Sequence, residues 1–535
     1  MKNKLKISVA LLTACALLFA SVLPLTALAE SEGYAPRDGE IWDGSIASSF
    51  AGGSGTQNDP YLISNGAELA FLAQQVTEHM SFEGVYFEMT DDICLNDVSG
   101  FENWSSENPP ANEWLPIGGG RFPLSDGLNY GFYNFCGNFN GGGHTVYGLY
   151  YYKQQSDFLF DCVGLFGSVR GAAIGNLTLD KSYMEIGETS SATIGGICAS
   201  ANNSSFENCF NYATLIGTTY VGGICASAGE TLFSRCTNYG EVAGFLLVGG
   251  IAGRTFGDVL DCANYGRVSL RGANDLTMNF GGIAGEYSGG SIERCANLGA
   301  VDGGNLCGGL VGSTDSETPM TLSKCYNAGS VNGSANIGGF LGWTGYASRA
   351  LIENCYNAGS VSGEANVGGF IGYVSMSPEI SCCYNAGTVE ASENANPISG
   401  CIEGSAPEMQ NCYYLDTCCE AAAEGASALT AEQLMTEESY VGFDFETVWT
   451  MAGNAEYPYA ELIGNPHGGG EPLPALPGDA DGNGTVNIAD GIIALRFTLG
   501  LVDESAIVFE NADINGDGSV SVADAILILR IALGL

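Results

Sequence analysis

Two twelve-residue segments near the C-terminus place oxygen-bearing side chains at the same spacing. They run from Asp479 to Asp490 and from Asp513 to Asp524. Each has oxygen side chains at positions one, three, five, nine and twelve, and Gly at position six. A hard cation such as Ca²⁺ takes six to eight oxygen ligands, and the chain that wraps around it needs a sharp turn at Gly. The two segments therefore predict two Ca²⁺ sites.

The predicted ligands occupy equivalent places in the two loops, following the EF-hand coordination scheme. Positions one, three, five and twelve supply side-chain oxygens, position seven a backbone carbonyl, and position nine a direct or water-mediated ligand. In the first loop these residues are Asp479, Asp481, Asn483, Asp490, Thr485 and Asn487. In the second loop they are Asp513, Asn515, Asp517, Asp524, Ser519 and Ser521.

An apolar helical pattern ending in Gly follows each loop, over residues 490–500 and 524–534. Pro474 and Pro477 precede the first loop, so no helix enters it. Two loop–helix units without entering helices resemble the type I dockerin. The resemblance implies a Ca²⁺-folded module whose partner is a cohesin domain on a scaffoldin, in a cellulosome-type or cell-surface complex outside the cell.

The resemblance also implies residues that contact the cohesin. They lie at loop positions ten and eleven and at two positions of each following helix: Ile488, Ala489, Leu495 and Arg496 in the first copy, and Val522, Ala523, Leu529 and Arg530 in the second. The best-known clostridial dockerins carry a Ser-Thr pair where this chain is apolar, which implies a different cohesin. Because the two copies nearly agree, either half is predicted to face the cohesin after a half-turn rotation.

The N-terminus predicts export. A basic start, an apolar run to about residue 22 and the sequence Ala27-Leu28-Ala29 are typical of a signal peptide cleaved after Ala29. A lipoprotein box ending at Cys15 is the alternative. No later run reaches the ~18 apolar residues of a membrane span, so membrane insertion is not expected. The net charge of −43 makes nucleic acid and anionic membranes implausible partners.

The middle of the chain repeats itself every 26 to 33 residues. One repeated element, Cys-x-Asn-x-Gly, begins at Cys209 (with Ala213 in the Gly place), Cys236, Cys262, Cys295, Cys325, Cys355 and Cys383. A second element, Gly-Gly followed by two further small or apolar residues, begins at Gly195, Gly222, Gly249, Gly281, Gly308, Gly338 and Gly368. This second element resembles the GLUG repeat of bacterial surface proteins, including the stalks of some immunoglobulin A proteases.

Stacked copies of this length can pair short strands in parallel about 4.8 Å apart and share one elongated core. The density of Gly and the absence of a 3.6-residue period exclude helical repeats. We therefore predict a mainly β protein, a parallel β-helix or β-solenoid of about eight coils, joined to a small all-α calcium-binding module.

Three residue columns follow from this stacking. The Cys residues are predicted to point inward as stacked thiols, with some disulfides as the alternative. The Asn residues two places later are predicted to form an amide ladder at a turn, because Asn tolerates the αL conformation. The repeated Tyr residues are predicted either to form an exposed strip for sugars or to cover the solenoid flank: Tyr212, Tyr239, Tyr265, Tyr326, Tyr356 and Tyr384.

The remaining segments complete the predicted organisation. Residues 1–29 form the signal peptide, 30–160 an N-terminal cap with the first coils, 161–415 the repeats, 416–463 a C-terminal cap, 464–477 a Gly/Pro linker and 478–535 the dockerin. A cap helix is predicted over residues 67–76. A capping box, Thr430 to Gln433, predicts a second short helix.

Three functions are compatible with this organisation. The first is a non-catalytic scaffold-bound component whose solenoid binds carbohydrate or host glycoprotein or serves a structural purpose. The second is a β-helix polysaccharide lyase or glycoside hydrolase in polysaccharide catabolism, and the third is an adhesin tethered by the dockerin. His79, His144 and His467 form no metalloprotease motif, and no catalytic residue is assigned.

Overall fold

The computed structural model describes residues 41–78, 80–123, 130–154, 161–187, 192–272, 278–314, 319–345, 350–451, 457–465, 467, 480, 488–499, 507, 512, 514 and 520–532. The predicted signal peptide and most of both predicted calcium loops lie outside these residues. In the part of the chain that is described, no helix is long and apolar enough to cross a membrane.

The predicted parallel β-solenoid is confirmed, and it has about eleven turns. Its three long sheets are built almost entirely from parallel strands that pair with the same part of the next coil. The predicted eight coils covered residues 161–415 alone. The structure adds rungs before them, where Tyr61–Ile63 pairs with Tyr86–Met89, and after them, where Tyr413–Leu415 pairs with Ser427–Leu429.

The first sheet bends in the middle, so most coils contribute two short strands to it. Its strands are Tyr61–Ile63, Tyr86–Met89, Ile93–Cys94, Asn138–Asn140, Thr145–Tyr147, Ala173–Asp180, Ser205–Asn211, Leu232–Ser234, Thr237–Asn238, Val259–Leu260, Ala263–Asn264, Gly290–Glu293, Ala296–Asn297, Met320–Ser323, Tyr326–Asn327, Ala350–Glu353, Tyr356–Asn357, Glu379–Ser381, Tyr384–Asn385, Glu408–Gln410, Tyr413–Leu415 and Ser427–Leu429.

The second sheet is also bent in its early coils and becomes continuous in the last three. Its strands are Tyr150–Lys153, Asp161–Val163, Tyr183–Ile186, Ala192–Gly195, Thr214–Ile216, Tyr220–Gly222, Val242–Gly244, Leu246–Gly249, Val268–Leu270, Met278–Gly281, Val301–Asp302, Asn305–Gly308, Val331–Gly338, Val361–Gly368 and Val389–Asn396.

The third sheet has one strand per coil. Its strands are Phe166–Arg170, Cys198–Asn202, Cys225–Gly229, Ala252–Thr255, Ala284–Tyr287, Val311–Thr314, Leu341–Trp343, Ile371–Val374 and Ser399–Ile402. Two antiparallel pairs stand apart from the coils: Arg121–Pro123 with Tyr130–Phe132, and Trp449–Thr450 with Glu461–Leu462.

Four α-helices accompany the sheets in the described residues: α1 (Gly66–Thr77), α2 (Ala431–Leu434), α3 (Ile488–Thr498) and α4 (Val522–Ala532). Short 3-10 turns occur at Phe101–Asn103 and Glu437–Ser439. The predicted cap helix is confirmed as α1, which begins after Asn65, whose side chain accepts a hydrogen bond from the Glu68 N–H. The predicted capping box is also present at the start of α2.

The two repeated sequence elements meet inside each coil. The second Gly of a Gly-Gly pair lies against the amide of a ladder Asn, so a Cβ on Gly282 would lie 2.2 Å from Cγ of Asn297 and 2.2 Å from the carbonyl oxygen of Gly309. Only Gly fits at this position, because any side chain would overlap the Asn amide of the same coil or the backbone of the next coil. This close approach explains why Gly-Gly and Asn recur together at the same period.

The Cys column points into the core as predicted. Its members are at most 1% exposed from Cys209 to Cys383, and none of the eighteen described cysteines forms a disulfide. The backbone N–H of Cys295 donates to Sγ of Cys325 at 3.4 Å, and the same contact recurs in neighbouring coils. Burial raises the pKa of Cys295 well above its ordinary value. The column is therefore a stack of buried cysteines that runs along the described coils without disulfides.

The predicted amide ladder runs through the core beside the thiols. From Asn211 to Asn385 each Nδ2 donates to Oδ1 of the next Asn at 2.7–2.8 Å. The expectation that these Asn residues adopt αL is wrong. The positive φ lies instead at the residue before each Cys, such as Arg235 (52°) and Lys324 (53°), where the first sheet bends.

The repeated Tyr residues form two separate columns on one flank of the first sheet. Tyr212, Tyr239 and Tyr265 follow the ladder Asn and remain partly exposed. The second group, Tyr326, Tyr356 and Tyr384, precedes the ladder Asn and is 0% exposed. Residues two apart in a strand share a face, so both columns lie on the outer face of the same sheet, and only one of them is accessible.

A C-terminal segment covers the second Tyr column. We call it the brace: residues 427–451, 457–465 and 467. Trp449, 0% exposed, packs beside Tyr356 and Tyr384, and its Nε1 donates to Oδ1 of Asn354 at 3.3 Å. The hydroxyls of Tyr384 and Tyr457 share a hydrogen bond at 2.8 Å. The brace therefore closes the flank by burying aromatic rings against the coils.

The brace runs from the last coils back toward the first. Tyr440 contacts Tyr413 and Tyr384, and the later Asn465 donates from Nδ2 to the carbonyl of Lys324 at 3.3 Å. His467 stacks on Tyr457 with ring centroids 3.9 Å apart and also lies near Tyr326. Among the described residues, the last ring contact of the brace therefore lies at the rung of Tyr326.

Replacing Asn327 with Ala is expected to lower the free energy of unfolding by about 2–3 kcal/mol, because the amide of Asn297 loses its acceptor and Oδ1 of Asn357 loses its donor inside the core. Urea unfolding followed by tyrosine fluorescence measures the change. Asn332→Ala is the control, because Asn332 lies at the surface of the same coil as Asn327 and bonds there to Asp302 of the neighbouring coil. Losing this surface hydrogen bond should cost less than about 0.5 kcal/mol. Equal losses would contradict a structural role for the ladder.

The brace is expected to loosen as the pH falls from about 6.5 to about 4. Burial lowers the pKa of His467 from 6.5 to about 4, so the docked brace favours neutral histidine and its release takes up a proton. Docking is therefore strongest above about pH 6.5 and weakens toward pH 4, which a red shift of Trp449 fluorescence would report.

His467→Phe is the control for this pH dependence, because it keeps a stacked ring without a titrating nitrogen. Burial raises the pKa of Glu461, so protonation of that carboxyl on acidification favours the docked brace and opposes the histidine. The difference between the native chain and His467→Phe isolates the histidine. An unchanged fluorescence profile in the variant would show that His467 does not set the transition.

Candidate functional site

Helices α3 and α4 pack closely because small residues lie at their contact. A Cβ on Gly491 would lie 2.4 Å from Cγ of Leu529, so the two helices approach nearer than any larger residue allows. Ala525 holds the equivalent place in the second copy and is 1% exposed. Ala494 and Ile528 complete the interface and are fully buried. The pair thus forms one small core of its own, related by the internal repeat.

Each helix begins with a buried carboxylate. Asp490 and Asp524, position twelve of the two predicted loops, are 0% exposed. Oδ2 of Asp524 accepts hydrogen bonds from the backbone N–H of Ser521 at 2.9 Å and from its hydroxyl at 2.7 Å. A helix N-terminus favours negative charge, but a fully buried carboxylate still needs a compensating cation. These residues fit Ca²⁺, since carboxylate and hydroxyl oxygens are its preferred donors.

The other predicted calcium ligands lie outside the described residues. They are Asp479, Asp481, Asn483, Thr485, Asn487, Asp513, Asn515, Asp517 and Ser519. Within the described ranges, no group of three or more His, Cys, Asp or Glu side chains is placed to hold a metal ion. The full set of calcium ligands therefore stays a prediction.

An apolar stripe with a cationic end runs along each helix. On α4, Val522 and Ile526 are 49% and 52% exposed, and Arg530 is also exposed. Their spacing of four places them on one helix face. On α3, Ile492 is 49% exposed and Arg496 is exposed. We call Ile488–Ile492–Arg496 and Val522–Ile526–Arg530 the two contact stripes.

The structure distributes the predicted cohesin contacts between two roles. Arg496, Val522 and Arg530 are exposed and available to a partner, whereas Leu495 and Leu529 are half-buried beside the helix pair. The side chains of Ile488, Ala489 and Ala523 lie outside the described part. The sequence prediction did not include Ile492 and Ile526, which are also exposed. They lie four residues after Ile488 and Val522, a spacing that places residues on one helix face.

Several arginines of the solenoid pair with acidic side chains, most of them on other coils. Arg294 donates to Asp261 and Glu293, and Arg235 forms an ion pair with Glu207. Each pair joins or lies between adjacent coils on the surface, where such pairs contribute little stability. These arrangements hold charges in place and do not converge on a cleft.

Asp92 and His144 lie together in the first coils. Oδ1 of Asp92 is 3.5 Å from Nδ1 of His144 and accepts from the backbone N–H of Thr145 at 2.8 Å. The observed hydrogen bond gives Asp92 a place in closing the turn before Thr145.

The accessible Tyr column presents ring edges. Tyr212 and Tyr239 stack with centroids 4.6 Å apart and planes 7° apart, and Tyr239 and Tyr265 stack at 4.9 Å. A sugar stacks on the face of an aromatic ring, and the inner faces of this column are occupied by neighbouring rings. Of the two predicted roles of this column, the geometry therefore favours a ladder that covers the flank rather than a strip on which sugars lie flat.

Comparison with known proteins identifies the C-terminal module. Residues 477–531 match the family described as the dockerin type I domain. The chain thus carries a type I dockerin, as the loop spacing predicted. Type I dockerins bind calcium, and the module implies a cohesin partner and an extracellular cellulosome-type complex. The function of the β-solenoid does not follow from this match.

Two further proteins are similar to this chain. A protein of Evansella cellulosilytica described as a Gly-rich membrane protein is 29% identical over 152 residues, which cover 28% of this chain and 14% of that protein. The chain therefore matches only about a seventh of that relative. A crystal structure of a protein from Bacteroides ovatus described as an immunoglobulin A1 protease aligns over 77% of this chain and 95% of that one, with 19% identity and a TM-score of 0.37.

Gly491→Ala is expected to destabilise the helix pair by about 1–3 kcal/mol, because the added methyl overlaps Leu529 in a closely packed interface. This net loss already allows for the higher helix propensity of Ala, which offsets about 1 kcal/mol of the packing cost. Urea unfolding monitored by circular dichroism at 222 nm measures the effect.

The control is Ile492→Ala, one residue away on the exposed face of the same helix. It should change the unfolding free energy by less than about 0.5 kcal/mol. If Gly491→Ala proved as stable as this control, the close approach of the two helices would be wrong.

Proposed function

We propose that the chain is an exported component that docks by its dockerin onto a scaffoldin cohesin and presents a rigid, non-catalytic β-solenoid for binding or structural purposes. The observation that carries the docking surface is the duplication of the contact stripe on α3 and α4. The described members of the two stripes combine the half-exposed Ile492, Val522 and Ile526 with an exposed arginine on each helix. Exposed aliphatic side chains of this kind, lined up on a small module, support a protein contact.

The duplication supports two docking orientations. Gly491 and Ala525, and likewise Leu495 and Leu529, occupy matching places in the two copies, so a half-turn of the module exchanges the helices with little change of surface. A cohesin that binds Ile492 and Arg496 can then bind Ile526 and Arg530 in the second orientation. Each orientation uses one stripe at a time.

Two calcium ions are proposed to hold the two loops. Asp479, Asp481, Asn483, Thr485, Asn487 and Asp490 would bind one ion, and Asp513, Asn515, Asp517, Ser519, Ser521 and Asp524 the other. When bound, the ion supplies the positive charge that a buried carboxylate such as Asp524 requires. Asp490 and Asp524 connect each loop to its helix, so calcium binding is coupled to formation of the contact stripes.

The solenoid is proposed to be a binding or structural element because its described polar groups serve the stack. The amide ladder, the thiol column and the paired arginines all join one coil to the next. No arrangement among the described residues favours a lyase or hydrolase specifically, so catalysis and an adhesin role stay alternatives predicted from the sequence. Export by the signal peptide 1–29 is part of the same proposal.

Removing one contact stripe is expected to weaken cohesin binding by only about twofold, because the other orientation remains. The single-stripe variants are Ile492→Asp/Arg496→Asp and Ile526→Asp/Arg530→Asp, and the fourfold variant combines them. The fourfold variant should bind at least a hundredfold more weakly. Surface plasmon resonance of the full chain over a panel of type I cohesin domains measures these affinities.

Two controls separate docking from folding. Val441→Asp changes a residue 67% exposed on the brace and should leave cohesin affinity unchanged. Chelation with EDTA should abolish binding by the native chain and reduce its helical signal at 222 nm. If one single-stripe variant lost as much affinity as the fourfold variant, docking would use one orientation. Native affinity in the fourfold variant would rule out the stripes as the contact surface.

A further inference from the structure

A groove lined by two tryptophans opens at the N-terminal end of the solenoid. It lies between helix α1 and residues 42–46 and 113–115, and its volume is about 240 Å³. Pockets that hold drug-sized molecules begin at about 300 Å³. An occupant of this groove therefore has to be a small molecule.

The indole rings of Trp42 and Trp114 form the aromatic part of the groove. Their centroids are 5.9 Å apart and their planes are inclined by 70°. Nε1 of Trp42 donates to the carbonyl of Ser45 at 2.7 Å, and Nε1 of Trp114 donates to the carbonyl of Leu165 at 3.2 Å. Because both indole N–H groups already have acceptors, the rings offer a ligand only their apolar surfaces, whose faces attract cations.

The C-terminal end of α1 adds negative charge to the same groove. Gln74 and Thr77 of its last turn line the groove together with Glu78, the C-cap residue. A helix C-terminus carries partial negative charge and favours a cation, but the last turn of α1 contains no basic residue. The carboxylate of Glu78 adds a full negative charge there, and its described hydrogen bond is with the amide of Gln75 at 3.3 Å.

A second carboxylate comes from Glu113, beside Trp114. The residue is exposed as a whole, yet desolvation of its carboxyl raises the pKa of Glu113, while the backbone of Tyr152 and the charge of Lys153 act in the opposite direction. A cation in the groove would stabilise this poorly solvated charge. Lys153 does not line the groove, and none of the described residues that do so is basic.

The remaining polar groups favour a cation over a neutral sugar. A sugar presents hydroxyls that need donors as well as acceptors, but the hydroxyl of Thr77 already donates to the carbonyl of Ala73 at 3.0 Å. Among the described side chains that line the groove, the amide of Gln74 is then the donor left for a ligand. Ile46 and Leu115, 52% and 61% exposed, make the rim apolar.

We propose that this groove binds a small organic ammonium ion with a methylated nitrogen. The nitrogen lies against the indoles of Trp42 and Trp114, and Glu78 and Glu113 supply the opposite charge. A methylated nitrogen suits the site because its surface is apolar and it needs no acceptor for each N–H, which is how aromatic cages recognise quaternary ammonium groups. This binding is separate from docking, since the dockerin takes no part in it.

Two ligands that differ only in charge test the proposal. Choline is the probe, and 3,3-dimethylbutan-1-ol, in which carbon replaces the nitrogen, is its neutral isostere. Isothermal titration calorimetry of the full chain at physiological salt, where surface attraction is screened, measures both. We expect one choline per chain and at least tenfold weaker binding of the alcohol. Equal affinities would overturn the proposal, because the groove would then have no preference for a cation.

Two double variants separate the groove from the overall charge of the chain. Glu78→Gln/Glu113→Gln should weaken choline binding at least tenfold and leave the fold intact, since both residues are exposed. Glu83→Gln/Glu102→Gln is the matched control, because it removes two exposed acids of the same cap that do not line the groove. Its affinity should be unchanged, and thermal unfolding checks that both variants are folded. Equal losses in the two variants would contradict a specific site.

Three further outcomes would also overturn the proposal. Displacement of choline by methyl β-glucoside would assign the groove to a sugar. A dimer in sedimentation velocity that dissociates in the variant Leu115→Asp would assign this face to a second copy of the chain. Titration without saturable binding of choline would rule out an ammonium site in the groove.

Discussion

The solenoid depends on one packing constraint: within each coil the second Gly of the Gly-Gly pair must lie against the ladder Asn amide, while the next coil lies only about 4.8 Å away. The amide of Asn297 contacts Gly282, and it donates to Asn327 in the next coil at 2.8 Å. A side chain at the Gly would displace the amide, and loss of the amide would leave its neighbours without partners in the core. This contact therefore fixes where the Gly-Gly and Asn elements meet in each coil, while backbone hydrogen bonds set the distance between coils.

A similar constraint organises the C-terminal module on a smaller scale. Gly491 lets α3 lie against Leu529 of α4, which turns the outer faces of both helices toward solvent. Ile492 and Ile526 are half-exposed for this reason, while Leu495 and Leu529 are drawn toward the small core. The buried Asp490 and Asp524 are proposed calcium ligands and would connect this arrangement to the ion. Two exposed helix faces are therefore obtained from helices too short to be stable in isolation.

Much of the fold was predictable because repetition in the sequence reports repetition in space. The inward Cys column, the Asn ladder and the cap helix all followed from spacing and residue type. The position of the αL residue in each coil did not follow from the sequence, because Arg235 and Lys324 are poor candidates for positive φ. Only the bend of the first sheet places them in that conformation. The burial of Tyr356 also could not be read from its own repeat, which looks like that of Tyr239, because a segment about a hundred residues later covers it. In the C-terminal module, the loop spacing identified the calcium chemistry, while the exposure of Ile526 required the packed helix pair.

The brace also determines how the solenoid would carry a mechanical load. The last described contact of the brace with the coils is that of His467 with Tyr326, several rungs before the last coil. Tension from an anchored C-terminus would enter there and peel the brace away from its end, one aromatic contact at a time, beginning with the stack of His467 on Tyr457. The parallel strands would be spared until Trp449 came free. The aromatic contacts on this flank would therefore break one after another under load and could form again when the tension falls.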